Sequence, residues 1–290
     1  MTFIYAVGPS YSGKSEYGKY LKSRGYEIVS SDAIRNVLYG DESIQGNPNE
    51  VFKVAAAETL RLLDAGRDVY FDSTGLKAKY RLMILRAIKK YKCYKKCILF
   101  LADINTIKER MAKRDRYVPE QIIHRQISNF EVPCYGEGWD SIDRHIVGNG
   151  SIINRLYDAM DISHNNPHHQ LTIGAHMIEA HRLAVHYGFN EVVRGAAMCH
   201  DIGKPVTKVF SNIKGEPTDI AHYYHHENWS AYLYCLESNH LRWLDIANLI
   251  QWHMAPWFYG DKKLRVLRQR LGEELWQDLN DLHQCDMEAH

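Results

Sequence analysis

The stretch Gly8-Pro9-Ser10-Tyr11-Ser12-Gly13-Lys14-Ser15 decides the fold of the N-terminal half of this 290-residue chain. It fits the pattern G-x-x-x-x-G-K-[ST] in full. An apolar run at residues 3–7, typical of a buried strand, comes before it, and a stretch with helical character follows it, which is the context that this pattern requires. The sequence therefore predicts a phosphate-binding loop between a strand and a helix.

Each residue type in this loop has a physical role in binding a nucleoside triphosphate. Glycines let main-chain N–H groups curl around the phosphates, and the helix N-terminus adds partial positive charge. Lys14 is expected to reach the β and γ oxygens, and Ser15 to help hold Mg²⁺. The predicted cofactors are ATP and Mg²⁺. The predicted cofactor-binding residues are Gly8, Ser10, Ser12, Gly13, Lys14, Ser15 and Asp72.

The length and the charge pattern predict two domains, residues 1–149 and residues 150–290. Residues 1–150 hold 24 Lys and Arg against 18 Asp and Glu, whereas residues 151–290 hold 12 against 17. Of the 16 histidines, 14 lie in the second half. A basic half suits polyanionic substrates, and an acidic, histidine-rich half suits a bound cation.

The hydrophobic pattern predicts a different architecture for each half. Short apolar runs at residues 3–7, 26–29, 69–71 and 97–101 alternate with helical stretches at 51–65 and 79–90. This alternation favours a parallel α/β sheet flanked by helices, with a last strand at 145–147. Beyond residue 150 helical periodicity dominates and no strand is expected, with a loop at about 203–222.

Composition favours a soluble, cytoplasmic protein with no membrane partner. No apolar run approaches the roughly 18 residues that span a bilayer. The first seven residues lack a basic segment and read as a strand rather than a signal peptide. The six cysteines show no regular spacing and fit reduced, buried thiols.

Carboxylates follow two of the predicted strands. Asp32 and Arg35 lie one helical turn apart after the strand at 26–29, and Asp72 ends the strand at 69–71. Substrates sit beyond the carboxyl ends of parallel strands. There, Asp32 could accept a proton from an attacking hydroxyl while Arg35 holds a substrate phosphate. Alternatively, Asp32 caps the helix and Arg35 is a solvated charge.

Basic residues between 108 and 116 precede Val118-Pro119-Glu120. Arg110 and Arg114 are four residues apart, hence on one helix face, and are predicted to form a lid over the triphosphate. The alternative is a solvated charged surface.

Together these motifs resemble the 5′-hydroxyl polynucleotide kinases of phage and bacterial RNA-repair systems. The resemblance covers residues 1–148 and includes Ser31-Asp32-x-x-Arg35, Asp72-x-Thr74, Arg110-x-x-x-Arg114 and Phe130-Glu131-Val132-Pro133. It implies that Asp32 is the general base on the 5′-OH and that Arg35 binds the neighbouring phosphate. Arg110 and Arg114 would clamp the phosphate donor. The D-x-D-x-T phosphatase signature that many such kinases carry is missing here.

The histidines of the second half are spaced for a metal site. His176 lies 12 residues before Gly188, where a helix at 173–187 is predicted to end, and His200 lies 12 after it, in a second helix at 190–202. In an antiparallel helix pair, equal distances from the turn bring two side chains level. His176 and the His200-Asp201 dyad can therefore meet and bind Zn, Mn, Fe, Co or Ni.

Residues 165–290 resemble the HD phosphohydrolase superfamily, particularly the HD domain of CCA-adding tRNA nucleotidyltransferases. The match includes Met198-Cys199-His200-Asp201-Ile202-Gly203-Lys204 and His225-His226-Glu227. It implies one metal bound by His176, His200, Asp201 and Asp286. It also implies that His226 and His253 complete a second site or contact phosphate. Metal-assisted phosphoester hydrolysis follows, with Lys204 either on the phosphoryl oxygens or as a charge at a helix end.

The two resemblances together imply a bifunctional nucleic-acid end-healing enzyme. One domain would phosphorylate a 5′-OH, and the other would remove a 2′,3′-cyclic phosphate or a terminal phosphate. The expected partners are an RNA carrying these ends and a separate RNA ligase that uses the healed product. Two alternatives remain: a small-molecule or nucleoside kinase fused to a nucleotide phosphohydrolase, and a non-catalytic ATP- or nucleotide-sensing module.

Overall fold

The computed structural model describes residues 1–44, 46–113, 118–167 and 170–289. It divides into two compact units. The first comprises Met1–Gln126 and Pro133–Gly148, and the second comprises Ile127–Val132 and Asn149–His290. The second unit thus includes a six-residue segment taken from the middle of the first.

The first unit is built on a five-stranded sheet flanked by helices. Its strands are β1 (Thr2–Val7), β2 (Glu27–Ser30), β3 (Val69–Asp72), β4 (Tyr94–Ala102) and β5 (Ser141–Val147). Its helices are α1 (Lys14–Ser23), α2 (Ser31–Tyr39), α3 (Pro48–Asp64), α4 (Ala78–Ala87), α5 (Ile104–Ala112) and α6 (Glu120–Ile127). The strand order is β2-β3-β1-β4-β5, and every pair is parallel.

Both faces of the sheet are buried, which is why its strands read as continuous apolar runs. In β1 the side chains alternate between the faces. Ile4 packs in a cluster with Tyr70 and Phe100. Tyr5, on the other face, stacks on Phe71 at 4.7 Å between ring centroids. The α/β fold class predicted for this half is confirmed.

The parallel register brings the ends of three neighbouring strands to one edge. Ser30, the last residue of β2, pairs with Asp72, the last residue of β3, and β3 in turn pairs with β1. The phosphate-binding loop follows β1 directly. This edge therefore gathers the loop, the start of α2 and Asp72.

The second unit is mainly helical. Its helices are α7 (Ile152–Met160), α8 (Ile173–His186), α9 (Glu191–Cys199), α10 (Lys204–Thr207), α11 (His226–Glu237), α12 (Trp243–Trp252), α13 (Ala255–Phe258), α14 (Asp261–Leu271) and α15 (Glu273–Glu288). Helix α12 is buried along most of its length, and its polar Asn248 and Gln251 are buried with its apolar residues. Among the described residues, no helix combines the length and the apolarity needed to cross a bilayer.

The expectation that no strand follows residue 150 is wrong. Strands β6 (Lys208–Ser211) and β7 (Pro217–Tyr223) form an antiparallel pair inside the region predicted as a loop. They are short and largely exposed, so they lack the apolar alternation from which a strand is predicted.

The segment 127–132 is part of the interior of the second unit. The side chains of Ile127, Phe130 and Val132 are fully buried, and the Phe130 ring meets the Tyr232 ring edge-on at 5.4 Å. The Gln251 side chain accepts from the Val132 N–H at 2.5 Å and donates to the Phe130 carbonyl at 3.0 Å. These contacts satisfy backbone groups that would otherwise be buried without partners.

Candidate functional site

The phosphate-binding loop has the backbone that its glycines permit. Gly13 has φ = 106°, a left-handed conformation that residues with a side chain rarely adopt. A Cβ on Gly8 would lie 2.2 Å from the Phe100 carbonyl oxygen, so only glycine fits there. The buried Lys14 ammonium lies 2.6 Å from the Pro9 carbonyl oxygen and 3.3 Å from Ser12 Oγ. The lysine is therefore held inside the loop that it serves.

Two side chains from outside the loop brace it. Gln126, on α6, accepts from the Ser10 N–H at 2.8 Å and donates to Ser10 Oγ at 3.0 Å. Arg110, on α5, donates to the Tyr11 carbonyl at 2.8 Å. Arg110 therefore lies beside the loop, as a lid residue must, whereas Arg114 lies outside the described residues. Gln126 was not predicted from the sequence, because nothing local marks it.

Asp32 and Arg35 form an ion pair on the first turn of α2. Ser30, not Asp32, caps this helix, since its side chain accepts from the Ala33 N–H at 3.3 Å. The alternative that Asp32 serves as the cap is therefore wrong. The Asp32 side chain is 49% exposed and that of Arg35 is 15% exposed. The Arg35 Nε is buried and has no hydrogen-bond partner among the described residues.

Asp72 lies beside the loop and accepts a hydrogen bond from Ser15. Burial raises the pKa of its carboxyl, although the Lys14 charge and the Ser15 hydrogen bond oppose that effect. A serine hydroxyl and a carboxylate side by side are hard oxygen donors of the kind Mg²⁺ prefers. This pair therefore fits the Mg²⁺ that accompanies a P-loop nucleotide.

The loop, Asp72 and the start of α2 face one cavity of about 450 Å³ in the first unit, whereas Arg110 does not line it. Lys14 and Ser15 contribute to its lining from the phosphate-binding loop, and Asp32 and Arg35 do so from α2. Arg125 and Gln126 add the side of α6, and Arg125 is a further cation that sequence reasoning missed. The cavity can thus hold a triphosphate next to a carboxylate and a cation, which is the arrangement needed for phosphoryl transfer to a hydroxyl.

The second site gathers its ligands from five places in the helical unit. His176 lies on α8, His200 and Asp201 directly follow α9, and Asp286 lies on α15. His226 begins α11, and His253 directly follows α12. Helices α8 and α9 begin where Thr172 and Asn190 cap them through their side-chain oxygens. The imidazoles of His176 and His200 meet with 3.2 Å between their Nε2 atoms, as the equal spacing from Gly188 predicts.

The four histidines present bare Nε2 atoms to one another. Each Nδ1 lies 2.7 to 2.9 Å from a backbone carbonyl oxygen. The carbonyl belongs to Ala289 for His176, to Ala197 for His200, to Tyr223 for His226 and to Ile250 for His253. A carbonyl only accepts, so each Nδ1 carries a proton, and the neutral form of each ring has its lone pair on Nε2. His226 Nε2 and His253 Nε2 are also 3.2 Å apart. Two facing Nε2 atoms can share a proton or hold a metal ion, so the arrangement fits a metal site.

Asp201 joins the two histidine pairs. Its Oδ2 lies 3.4 Å from His200 Nε2 and 3.8 Å from His176 Nε2. Its Oδ1 lies 3.3 Å from His226 Nε2 and 3.8 Å from His253 Nε2. Asp201 therefore belongs to two groups of residues, one with each histidine pair, that could hold a metal ion. Histidine and carboxylate donors suit Mn, Fe, Co, Ni or Zn.

Asp286 completes the first of these groups. Its Oδ1 lies 2.9 Å from His176 Nε2 and 3.3 Å from His200 Nε2. Helix α15 continues past it to Glu288, and the Ala289 carbonyl accepts from His176. This end of the helix is therefore held by the site itself.

Burial and neighbouring charges shift the pKa values of the site residues in opposite directions. Burial raises the pKa of Asp201 and Asp286, but nearby positive charges, chiefly Lys204 and His200 for Asp201 and His200 for Asp286, hold both pKa values well below their usual range. Burial lowers the pKa of His200, but Asp201 and Asp286 raise it more, to about 9. Burial and two neighbouring imidazoles lower the pKa of His253 to about 4. The carboxylates are therefore ionised at neutral pH and attract a cation.

Lys204 lies at this site, at the start of α10, and is not a charge at a helix C-terminus. Its ammonium is 2.6 Å from Asp201 Oδ2 and 3.3 Å from His164 Nε2. His164 is buried, and its Nδ1 lies 2.8 Å from the Leu171 carbonyl oxygen, so its Nε2 accepts from the lysine. Sequence reasoning missed His164, because it precedes the matched motifs and its spacing carries no signal.

Three residues close to His226 in the sequence lie outside the histidine cluster. His222 stacks on the Tyr224 ring at 5.4 Å. The His225 side chain is 59% exposed. Glu227 lies 3.7 Å from His226 Nδ1 through a carboxylate oxygen, on the side away from the facing Nε2 atoms. The structure thus separates six clustered residues from their neighbours in the sequence.

Two family models match the chain, one in each half. Residues 3–133 match an AAA domain, and residues 174–282 match an HD domain. No curated protein matches the sequence.

Solved structures resemble about half of the chain. One is a sugar kinase from Janibacter sp. HTCC2649, with 19% identity and a TM-score of 0.41, covering 49% of this chain and 85% of the other. Another is a gluconokinase from Sinorhizobium meliloti 1021, with 18% identity and a TM-score of 0.36, covering 49% and 81%. On the two family models, the chain combines a P-loop domain, which implies ATP and Mg²⁺, with an HD domain, which implies a divalent metal.

Proposed function

We propose that this protein heals the ends of cleaved nucleic acid, RNA in particular. The P-loop unit phosphorylates a 5′-OH with ATP, and the HD unit hydrolyses a 2′,3′-cyclic phosphate or a terminal phosphate. The observation that carries the proposal is the 450 Å³ cavity, in which the phosphate-binding loop faces a carboxylate and an arginine. A hydroxyl that belongs to a phosphate-bearing strand needs both groups: one for its proton, the other for its phosphate.

In the first reaction Asp32 acts as the general base. Its half-exposed carboxylate lies where a substrate hydroxyl can reach it and accept a phosphoryl group in line with the donor. Arg35 gives one N–H to Asp32, and its guanidinium, which lines the cavity, binds the phosphate next to the attacking hydroxyl. Lys14 and the main-chain amides of the loop stabilise the charge that develops on the transferred group.

In the second reaction the chain holds a phosphoester against the histidine cluster. Bound metal ions would supply Lewis acidity and an acidified water. His176, His200, Asp201 and Asp286 would hold one ion, and Asp201, His226 and His253 would hold a second. Lys204, fixed between Asp201 and His164, donates to a phosphoryl oxygen.

The two reactions suit the two ends of one break. RNA cleavage that leaves a 2′,3′-cyclic phosphate leaves a 5′-OH on the other fragment. Acting on both ends restores a 5′-phosphate and a free hydroxyl at the 3′ end, and a separate RNA ligase would then join them. The basic balance of the first half suits a polyanionic acceptor.

The test uses an RNA bearing a 5′-OH and a 2′,3′-cyclic phosphate, with the wild-type protein, Asp32→Asn and Asp201→Asn. We expect Asp32→Asn to lose 5′ phosphorylation and keep 3′-end hydrolysis, and Asp201→Asn to do the reverse. Since Asp201 is buried beside Lys204, its replacement can disturb folding. Removing the transition metal with a selective chelator and then assaying in Mg²⁺ gives the same comparison without a mutation.

Two results would contradict the proposal. Phosphorylation of free nucleosides or sugars but not of 5′-OH strands would favour a small-molecule kinase. ATP binding without transfer to any acceptor, together with nucleotide binding but no hydrolysis by the HD unit, would favour a sensing module.

A further inference from the structure

Two exposed aromatic side chains lie between segments that carry ligands of the histidine cluster. Trp257 and Phe258 end the short helix α13, four and five residues after His253. The Trp257 ring meets the His283 ring edge-on at 4.9 Å, and His283 lies three residues before Asp286 on α15. Trp257 is therefore anchored to both segments at the border of the cluster.

The two aromatic rings remain exposed although their backbone is fixed. Trp257 is 52% exposed and Phe258 is 73% exposed. The Trp257 N–H donates to the Met254 carbonyl at 3.2 Å, and the Tyr259 N–H donates to the Ala255 carbonyl at 2.9 Å. Neighbouring exposed aromatic rings offer an apolar surface that a planar ligand can cover. Because the turn that carries them is already ordered, binding would cost little conformational entropy.

Positive charge begins four residues after Phe258, at Lys262, which follows Asp261. Helix α14 carries five of the 12 Lys and Arg of residues 151–290, a region in which acidic residues are in excess. Arg268 pairs with Glu273, and Arg270 pairs with Glu131. Lys262, Lys263 and Arg265 are exposed, and none of them forms an ion pair with a carboxylate in the part of the chain that the structure describes. Lys263 also lies over the Tyr259 ring at 5.1 Å, which places it beside the turn.

We infer that this basic aromatic rim, defined as Trp257, Phe258, Lys262 and Lys263, binds the single-stranded nucleic acid that leads to the HD site. Unpaired bases stack on the two aromatic rings, and the lysines bind the phosphates between them. Aromatic platforms with adjacent cations are the usual means of binding single strands without sequence preference. The inference rests on the proposed function, because it supplies the strand whose terminal phosphate the histidine cluster hydrolyses.

Charge complementarity favours this occupant over a protein partner. Lys262, Lys263 and Arg265, which pair with no carboxylate among the described residues, would have to be neutralised in an apolar protein interface, whereas a strand brings one negative charge per nucleotide. A second copy of this chain would bring the same positive helix to the contact and repel it. A polyanion with planar bases satisfies both parts of the rim.

The experiment measures binding and turnover with the full-length protein loaded with Mn²⁺. Binding is followed by the fluorescence anisotropy of a labelled single-stranded RNA with a 3′-terminal phosphate, and turnover with this RNA and with bis-p-nitrophenyl phosphate. Tyr157→Ala is the matched control, because Tyr157 is 74% exposed on α7, which carries no ligand of the cluster.

We expect Trp257→Ala to weaken RNA binding about 10-fold, the loss of one stacked base. The preference for RNA over bis-p-nitrophenyl phosphate, taken as the ratio of kcat/KM values, should fall by a similar factor, and Tyr157→Ala should change neither. Lys262→Glu with Lys263→Glu should weaken binding further and reduce its dependence on salt.

Three outcomes overturn the inference. In one, Trp257→Ala and Tyr157→Ala bind RNA as the wild type does. In another, Trp257→Ala lowers turnover of both substrates equally, which would assign the ring a structural role. In the third, Trp257→Ala changes the oligomeric state and not RNA binding, which would make the rim a protein interface. If the wild type binds RNA through the rim but hydrolyses no nucleic-acid end, the proposed function is wrong, and the inference that the rim binds single-stranded nucleic acid is still supported.

Discussion

The two candidate sites are assembled in opposite ways. The phosphate-binding loop is one continuous stretch of eight residues whose main chain does most of the binding, so its chemistry can be read from local sequence. The histidine cluster draws side chains from five places between residues 176 and 286. A loop of this kind is specified by its glycines, whereas the cluster exists only if the helices pack correctly. The first site should therefore tolerate changes in distant packing better than the second.

The largest effect is expected at the loop. Lys14→Ala removes the cation that contacts the transferred phosphoryl group, and loss of one such preorganised group costs a factor of about 10² to 10³ in kcat. Phosphorylation of a 5′-OH strand by wild type and variant measures it. Hydrolysis by the histidine cluster should be unchanged, and its loss in the same variant would show that the sites are not independent.

A buried ion pair offers the sharpest test of stability in the first unit. The side chains of Arg81 and Glu137 are fully buried, and Arg81 also donates to the carbonyls of Gly75 and Leu76. Glu137→Gln leaves an uncompensated buried charge and should lower the free energy of unfolding by about 3 kcal/mol.

The matched control for Glu137 is Glu58→Gln, which breaks the exposed Arg61–Glu58 pair. Such pairs contribute about 0 to 1 kcal/mol. Denaturant unfolding followed by circular dichroism measures both variants. Equal losses would mean that burial of the Arg81–Glu137 pair is not what makes it important.

The amount by which a bound metal ion stabilises the second unit should depend on pH. The carboxylates raise the pKa of His200 to about 9, above the ordinary value of 6.5. In the metal-free protein this protonated imidazole contributes stability that is complete below pH 6.5 and is lost as the pH rises through 9. A metal ion needs the deprotonated ring, so the gain on adding metal should increase over the same range.

Thermal unfolding with and without Mn²⁺ at several pH values tests this dependence. We expect the difference in Tm between the two forms to grow by several degrees from pH 6.5 to 9, in line with about 2 to 4 °C per kcal/mol. A difference that is constant or shrinks over this range would be incompatible with a metal that replaces the His200 proton.

The smallest effect concerns His164, which positions Lys204. Removing a neighbour that orients a site residue typically costs a factor of 10 to 100 in activity. Since Asp201 still holds Lys204 in His164→Ala, we expect a loss near 10-fold in hydrolysis by the HD unit and no change in phosphoryl transfer. The control is His181→Ala, because His181 also lies with its Nδ1 near a backbone carbonyl, that of Arg194, but outside the cluster. Equal losses in the two variants would assign His164 no special role.

The sequence predicted most of the architecture, because each element satisfied a local rule. Strands β1 and β3 and most of β4 were buried apolar runs, and the caps at Thr172 and Asn190 began the two helices that bring His176 to His200. The antiparallel hairpin of β6 and β7 was missed since its exposed strands carry no apolar alternation. The order of the strands in the sheet could not be predicted from the sequence either, since it depends on how the strands pair in space.

What the sequence could not provide is the set of neighbours that support each site. Gln126 and Arg125 reach the P-loop cavity from a helix more than 100 residues further along the chain, and His164 reaches Lys204 across 40 residues. Single residues of this kind have no periodicity or motif. Asp286 was predicted only through a family resemblance, and its place depends on α15 packing against α8 and α9.

The six residues at 127–132 limit how the protein can be divided. A fragment ending at residue 148 would keep this segment but lose the residues that cover it, leaving Ile127, Phe130 and Val132 in water and prone to aggregate. A fragment beginning at residue 149 would lack the same three side chains and leave a gap in its interior, at a cost of several kcal/mol. Separate study of the two activities is therefore better served by point variants of the whole chain than by truncation.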